Sequence, residues 1–446
     1  MRPVLVAALL TALCAALVAQ VPDSRTYEQI VATQNKTIVD YFLLCPAVFP
    51  RTSSSDGSGS QIGIASEDDK LDTKGADLAF RRRLLAKGGQ SPAPVVASAL
   101  VDLKNAYIDI AGTYDNGESF RLVFVYFARA DKSAIPALTY STRGKEEDSR
   151  RYCYAFFDLR DGSWRQIPED EILPQISVMP LVPYAGSGDT DCTYWAVELP
   201  RYGTTIRVLP ILANLDEGQG SDEKATGYLE KLKPFALECA WDKARSRFAD
   251  PVPALADKAD LPKGPPTAAD YFGLLRLDNA MDLMLDDAAR RAARDAWKTS
   301  ADGQKKYGPG YFEWTGGGEI GDISVQVKAL GGCKGMPLVG EVDRSAEIYN
   351  YRTYLYHADS GLLEPIDLIS FSARDFYKPS HQAKAKQLFG DDALDCSVGL
   401  DSAEPLFRFR PSMDNGPPIQ ELPPDYDLDL RWDDKAGAFV KSTEPF

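Results

Sequence analysis

The sequence predicts a β-rich α+β protein built from two tandem related domains, each with N-terminal helices packed on an antiparallel sheet. Three observations lead to this prediction. Each half of the chain opens with a threonine-led helix signal, β-branched and aromatic runs alternate with turn motifs such as DNG and RDG, and one tryptophan-centred motif occurs twice. A β-sandwich in each domain is the alternative.

The first 19 residues are typical of a secretory signal peptide. Arg2 supplies a positive start, residues 4–18 are apolar except for Thr11, and the segment LVA precedes Gln20. The apolar run is shorter than the ~20 residues that a membrane-spanning helix needs, and an N-terminal anchor is the alternative. We therefore expect a secreted or periplasmic protein with no membrane span in the mature chain.

Each half then begins with a helix whose first turn is capped. Thr37 and Thr267 stand three residues before an aspartate, Asp40 and Asp270 respectively, and an apolar run follows. A threonine hydroxyl can accept from a free amide of the first turn, and the acid favours the positive end of the helix. A second helix in each half is expected in ADLAFRRRLLAKGG and in DDAARRAARDAWKTSADG, both of which end at glycine.

The remainder of each half reads as strands that finish in a repeated hairpin. Residues 235–248 (FALECAWDKARSRF) and 426–439 (YDLDLRWDDKAGAF) align without a gap, with tryptophan, aspartate and phenylalanine in the same places. Further matches follow in the same order along the chain, which predicts a tandem duplication. Turn signals shared by two unrelated halves are the alternative. The structural anchors of the repeat are Trp241, Trp432, Tyr107 and Tyr311.

These features divide the chain into four parts. A signal peptide at 1–19 precedes repeat domain 1 at 20–250, a Pro-rich linker at 251–264 and repeat domain 2 at 265–446. Domain 1 contains a Ser/Gly-rich insert near 51–70, which we expect to be mobile.

The charge excludes one class of partner. The 446-residue chain has a net charge of −15 and no long basic run. Because Lys and Arg supply most of the affinity for phosphate backbones, we expect no nucleic-acid partner.

Cysteine usage fits an exported protein. Of seven cysteines, one leaves with the signal peptide, and the even number that remains permits disulfides. Buried thiols are the alternative. Only Cys333 and Cys396 fall in domain 2, so we expect a bridge between them, with Cys192 pairing either Cys153 or Cys239. The disulfide candidates are Cys45, Cys153, Cys192, Cys239, Cys333 and Cys396.

Signals for catalysis are sparse. Asp109 and Glu313 occupy matching positions in the two halves, and two carboxylates can drive glycoside hydrolysis. A polar sheet face is the alternative explanation for both. The glycine-rich stretch 316–321 is followed by a strand-like segment, whereas a dinucleotide-binding loop requires a helix. We expect no cofactor and no metal site.

The prediction for function is therefore an exported, soluble, non-catalytic binding or interaction protein, built by internal duplication. Its partner would be a protein, a peptide or a polysaccharide. One alternative is a carboxylate-dependent hydrolase acting on envelope or extracellular glycans. Another is a structural component of the envelope.

Overall fold

The computed structural model describes most of the chain after the predicted signal peptide. It covers residues 24–45, 47–48, 63–64, 76–86, 95–114, 117–143, 150–160, 163–185, 193–212, 228, 231–257, 261–262, 264–275, 287–299, 308–318, 321–345, 348–390, 394–412 and 417–445. The predicted signal peptide at 1–19 lies outside these residues, as does the insert near 51–70 apart from Gly63–Ile64.

The described chain divides into two compact units. The first comprises Met1–Val178 and Gly188–Val252, and the second comprises Met179–Ser187 and Pro253–Phe446. Residues 179–187 therefore group with the second unit, although the chain afterwards returns to the first.

The first unit begins with two short helices whose first turns are capped. The Thr37 hydroxyl accepts from the Asp40 amide, and the Asp40 carboxylate accepts from the Thr37 amide at 2.7 Å. Arg25 also forms an ion pair with Asp40. The helices are α1 (Tyr27–Val31), α2 (Ile38–Leu44), α3 (Ala76–Leu85) and α4 (Glu169–Ile172).

The strands of the first unit form a short pair and two larger antiparallel sheets. The larger one is a six-stranded meander, β3 to β8 in chain order, and the other has the order β12-β11-β10-β9. Phe42 of α2 meets Phe124 of the meander with ring centroids 5.5 Å apart, inside a continuous apolar core. The strands are β1 (Ala47–Val48), β2 (Gly63–Ile64), β3 (Val95–Asp102), β4 (Tyr107–Thr113), β5 (Ser119–Ala128), β6 (Ala134–Arg143), β7 (Arg150–Arg160), β8 (Ser163–Ile167), β9 (Thr193–Glu198), β10 (Thr205–Leu212), β11 (Phe235–Asp242) and β12 (Arg247–Phe248).

The second unit also contains a helix whose first turn is capped by a threonine and an aspartate. Thr267 and Asp270 form a reciprocal cap like that of the first unit, and Lys298 forms an ion pair with Asp270. The α-helices are α5 (Val182–Ala185), α6 (Ala268–Leu274), α7 (Asp287–Thr299), α8 (Pro379–Phe389) and α9 (Pro417–Glu421), with 3₁₀ turns at Met179–Leu181 and Ala373–Phe376.

Two antiparallel sheets build the second unit, and a short strand, β13 (Val252–Leu255), lies where the chain passes from the first unit to the second. Leu338 and Val342 of the first sheet share a core with Phe407 and Phe409 of the second sheet. Phe272 of α6 stacks on Phe312 with centroids 4.5 Å apart. The sheets are β14 (Tyr311–Gly318), β15 (Gly321–Cys333), β16 (Met336–Ser345), β17 (Ile348–His357) and β18 (Leu362–Ile366), and then β19 (Cys396–Leu400), β20 (Leu406–Pro411), β21 (Tyr426–Asp433) and β22 (Ala438–Pro445).

The predicted fold class is confirmed in its coarse form. The chain is β-rich, its sheets are antiparallel, and helices accompany them. Within the described residues, none of the sheets closes on itself.

Candidate functional site

The repeated tryptophans occupy matching places in the two closing hairpins. Trp241 lies opposite Phe248 across β11 and β12, and Trp432 lies opposite Phe439 across β21 and β22. The ring centroids are 5.1 Å apart in the first pair and 5.2 Å in the second. Each pair contributes an aromatic contact beyond simple burial, which is a packing role.

The acidic residues of these hairpins are also occupied. The carboxylates of Asp242 and Asp433 accept from the backbone amides two and three residues further on, which closes each turn. Asp429 accepts two hydrogen bonds of 2.8 Å from Arg408 on the neighbouring strand. The acidic C-terminal run is therefore held by turn and cross-strand hydrogen bonds, and Asp429 is itself buried.

The two predicted catalytic candidates lie in separate units, and each is engaged by its neighbours. Asp109 accepts from Arg121 at 2.8 and 3.1 Å and from the Tyr107 hydroxyl at 3.1 Å. Glu313 accepts from the side-chain amide of Gln326 at 3.2 Å. Both carboxylates thus take part in contacts within or between adjacent strands.

The anchor Tyr311 is buried in the second unit. The Lys328 ammonium lies 5.8 Å from its ring centroid and donates to the Ser402 carbonyl at 2.8 Å. Burial lowers the pKa of Lys328, and nearby Asp401 opposes this effect. Tyr311 therefore packs against a buried lysine, which is a structural role.

The predicted Cys333–Cys396 bridge is wrong for this structure, in which both residues carry free thiols. Burial, with smaller effects of Cys396 and Asp367, raises the pKa of Tyr351, so Cys396 lies near that residue. The register places Tyr351 level with Gln326, across Val342. Cys333 is seven residues further along β15, or about 23 Å at roughly 3.3 Å per residue. A disulfide requires Cα atoms within about 7 Å.

The other cysteines give no further bridge in the described part of the chain. Cys45 is buried at the end of α2, Cys153 is partly buried on β7, and Cys239 is a buried free thiol on β11. Burial raises the pKa of Cys239 to about 12. Cys192, the predicted partner of Cys153 or Cys239, lies outside the described residues.

The second unit contains a buried polar cluster that sequence reasoning missed. Glu341 and Asp343 lie two residues apart on β16 and therefore on one face of the sheet. Their exposed fractions are 0% and 3%. Asn350, Arg352 and Tyr354 of β17 reach them from the neighbouring strand.

The contacts within this cluster are unequal. The Tyr354 hydroxyl donates to Glu341 Oε2 at 2.6 Å, and Arg352 Nη1 lies 3.6 Å from the same oxygen. Arg352 Nη1 is closer to Asp343, at 3.3 Å, and Asn350 donates to Asp343 at 2.7 Å. Among the described residues, Glu341 Oε1 is buried without a hydrogen-bond partner.

Burial dominates the electrostatics of the cluster. It raises the pKa of Glu341 to about 7, although Arg352 and Tyr354 oppose the change. It also raises the pKa of Asp343, against the opposing effects of Asn350 and Arg352. A group of titratable side chains perturbed in this way is a candidate functional site.

The first unit carries uncharged residues at the corresponding positions. Counting across the strands from Ile108, the residue after the anchor Tyr107, the register reaches Phe124, Leu138 and Ala155. Counting likewise from the residue after the anchor Tyr311, the register gives Phe312, Val327, Glu341 and Arg352. The charged cluster is therefore particular to the second unit.

A second candidate site is an exposed patch on the first unit. Leu103, in the turn between β3 and β4, is 58% exposed, and Tyr202, in the turn between β9 and β10, is 67% exposed. Arg201 joins the turns, with two nitrogens 3.2 Å from Asp102 Oδ2 and its guanidinium 5.1 Å from the Tyr202 ring centroid. We call Asp102, Leu103, Asn105, Arg201 and Tyr202 the turn patch.

Hydrogen bonds hold the patch in shape. Asn105 donates to the Asp102 carboxylate through its backbone at 3.2 Å and through its side chain at 2.8 Å. The Asn105 hydrogen bond and the Arg201 guanidinium hold the pKa of Asp102 below its usual value. Asp102 therefore remains ionised and continues to orient Arg201 at neutral pH.

Sequence patterns do not reveal either of the two sites. Alternation of Glu341 and Asp343 with Gly340 and Val342 is typical of a solvated strand face, so the pattern does not reveal that this face is buried. The turn motif DLKN at 102–105 marks a loop but does not reveal that residues 201 and 202 lie beside it.

Two further features are absent from the described residues. No group of three or more His, Cys, Asp or Glu side chains is arranged to hold a metal ion. No helix in the described part of the chain has the length and apolar character needed to cross a bilayer.

Comparison with known proteins adds little. No protein-family model matches the chain, and no curated protein matches it. One solved structure, a domain of an uncharacterized protein from Porphyromonas gingivalis W83, aligns at 14% identity over 39% of this chain and 87% of that domain, with a TM-score of 0.21.

Proposed function

We propose that the protein is an exported, soluble, non-catalytic binding protein that engages a peptide segment of a partner protein through the turn patch. The observation that carries this proposal is the exposure of Leu103 and Tyr202 on two turns that Arg201 and Asp102 tie together. Tyrosine and arginine are enriched among the residues that dominate binding energies at protein interfaces.

Pre-organisation supports the same conclusion. A side chain that is already oriented loses less conformational freedom on binding, so more of its contact energy contributes to affinity. Asn105 and Arg201 orient the Asp102 carboxylate, and Arg201 lies against the Tyr202 ring. Export, with a secreted or periplasmic location, rests on the signal-peptide pattern at 1–19.

We further infer that the domains at 20–250 and 265–446 are copies of one α+β design, joined by the Pro-rich segment at 251–264. Matching Trp–Phe pairs in the closing hairpins support this inference. So do the reciprocal caps, in which the Asp40 and Asp270 carboxylates accept from threonine amides at 2.7 and 2.9 Å.

The binding proposal is tested by selecting a phage-displayed random peptide library on the mature chain. We expect selected peptides to bind the double variant Leu103→Ala/Tyr202→Ala at least about tenfold more weakly, which corresponds to about 1.4 kcal/mol. The matched control, Tyr152→Ala/Val440→Ala, removes exposed side chains elsewhere and should bind as the wild type does.

Pull-down on insoluble chitin, cellulose and peptidoglycan distinguishes the rival ligand class. Polysaccharide binding that disappears in the Leu103→Ala/Tyr202→Ala variant would assign the patch to glycans instead of peptides. Failure to select any peptide that depends on the patch would also refute the peptide-binding proposal.

A carboxylate-dependent hydrolase acting on envelope or extracellular glycans is the second candidate. The observation that favours it is the neighbouring pair of Glu341 and Asp343, since a raised pKa suits a general acid. Burial of both side chains weighs against it because a substrate must reach them. Release of reducing sugars from a glycan panel that is lost in Glu341→Gln and in Asp343→Asn would support the hydrolase.

A further inference from the structure

The buried cluster of Glu341, Asp343, Asn350, Arg352 and Tyr354 contains two carboxylates and one guanidinium. With both acids ionised the cluster carries a net charge of −1, and with one acid protonated it is neutral. A net charge without a partner is costly in a buried environment. The cluster therefore favours the binding of one proton.

The geometry identifies Glu341 as the acid that takes this proton. Asp343 has the closer contact with Arg352, at 3.3 Å, and a hydrogen bond of 2.7 Å from Asn350. Glu341 is 3.6 Å from Arg352, and its Oε1 has no hydrogen-bond partner among the described residues. Asp343 is thus better compensated as an anion.

Other groups near this face leave the assignment unchanged. On β15, the residues opposite Asp343 and Glu341 are the uncharged Val325 and Val327. On α6, which packs on β14 and β15, Asp270 is held by its threonine cap and by Lys298, and Tyr271 lies against Tyr356.

From this arrangement we propose that the second unit is a pH-responsive module, in which loss of the Glu341 proton loosens the β16–β17 region. Ionisation leaves a buried carboxylate with one unsatisfied oxygen and a guanidinium that also serves Asp343. The first unit, with Leu138 and Ala155 at the corresponding positions, does not respond through this cluster.

The raised pKa of Glu341 determines whether the second unit gains or loses stability as the pH rises. Burial raises the pKa of Glu341 from 4.5 to about 7, so the folded state holds its proton more tightly than the unfolded chain does. This contribution to stability is complete below pH 4.5 and is lost as the pH rises to about 7. The second unit is therefore expected to be less protected at pH 8.0 than at pH 5.5.

Hydrogen–deuterium exchange of the full mature chain at pH 5.5 and 8.0, corrected for intrinsic exchange rates, tests the proposal. We expect protection of β16 and β17 to fall at pH 8.0 by up to about 30-fold, a factor of ten for each pH unit between 5.5 and about 7. Strands β6 and β7 of the first unit provide an internal control.

Two variants assign the effect to its residue. Glu341→Gln keeps the size of the side chain and should remove most of the pH dependence, whereas Asp343→Asn frees Arg352 for Glu341 and should move the midpoint to lower pH. His357 and His381 are unchanged in both variants, so their contributions cancel in the comparison. Full pH dependence in Glu341→Gln, or no pH dependence of β16 and β17 in the wild type, would overturn the proposal.

Discussion

Two carboxylates of the first unit contribute differently to stability because one is in a buried ion pair and the other is in an exposed one. Asp158 and Arg129 form a buried ion pair with atoms 2.8 Å apart. Asp109 and Arg121 form a pair at the same distance, but Arg121 is largely exposed. Water screens the second pair, and exposed pairs typically contribute about 0–1 kcal/mol. Distance alone therefore does not rank these interactions.

We expect Asp158→Asn to lower the free energy of unfolding by about 3–5 kcal/mol because it leaves the Arg129 guanidinium buried without its counter-charge. Asp109→Asn, the matched control, should cost less than about 1 kcal/mol. Urea denaturation at neutral pH measures both. Equal effects of the two substitutions would contradict the role assigned to burial.

At the scale of elements, the hairpin between β15 and β16 depends on its two-residue turn. Cys333 lies opposite Met336, and the residues between them, Lys334 and Gly335, have φ values of 53° and 80°. A tight hairpin of this kind requires positive φ at both central positions. Glycine adopts that conformation readily, whereas a lysine there is strained.

Substitutions at the two positions of this turn should affect stability in different directions. Gly335→Ala should destabilise the second unit by about 1–2 kcal/mol because alanine disfavours a positive φ. An added Cβ would meet no neighbouring atom, so the cost comes from the backbone conformation alone. Lys334→Gly should be neutral or slightly stabilising because it relieves a positive φ. Thermal unfolding compares the two variants, and a stable Gly335→Ala protein would show that the turn can change conformation.

Local patterns in the sequence predicted the elements better than their partners. The threonine caps at Thr37 and Thr267 form as expected because a cap involves residues only three apart. The Cys333–Cys396 bridge does not form because strand register, which counting cysteines cannot supply, separates them. Glu341 escaped notice for a similar reason, since its burial depends on contacts far along the chain.

At the scale of the whole molecule, the division into units does not follow chain order. Leu181 is fully buried within residues 179–187, which belong to the second unit, whereas Leu173 is buried in the first unit. The helix α5, which follows Leu181, packs on β18 of the second unit. Residues that are close in sequence thus stabilise different bodies.

We expect Leu181→Ala to reduce the stability of the second unit by about 2–5 kcal/mol. The lost hydrogen-exchange protection should appear in β17 and β18, more than 160 residues away in sequence. Leu173→Ala, the matched control, should instead reduce protection in the first unit. A Leu181→Ala protein that loses protection only in the first unit would contradict this assignment.

The excursion of residues 179–187 constrains how the protein can be made. A chain that is synthesised from its N-terminus contains α5 long before β18 exists, so α5 has no strand on which to pack while β9 to β12 are being made. If the gene were split within 251–264, residues 179–187 would be made with the first unit, although they group with the second. A division of the chain within that segment therefore does not separate the two units cleanly.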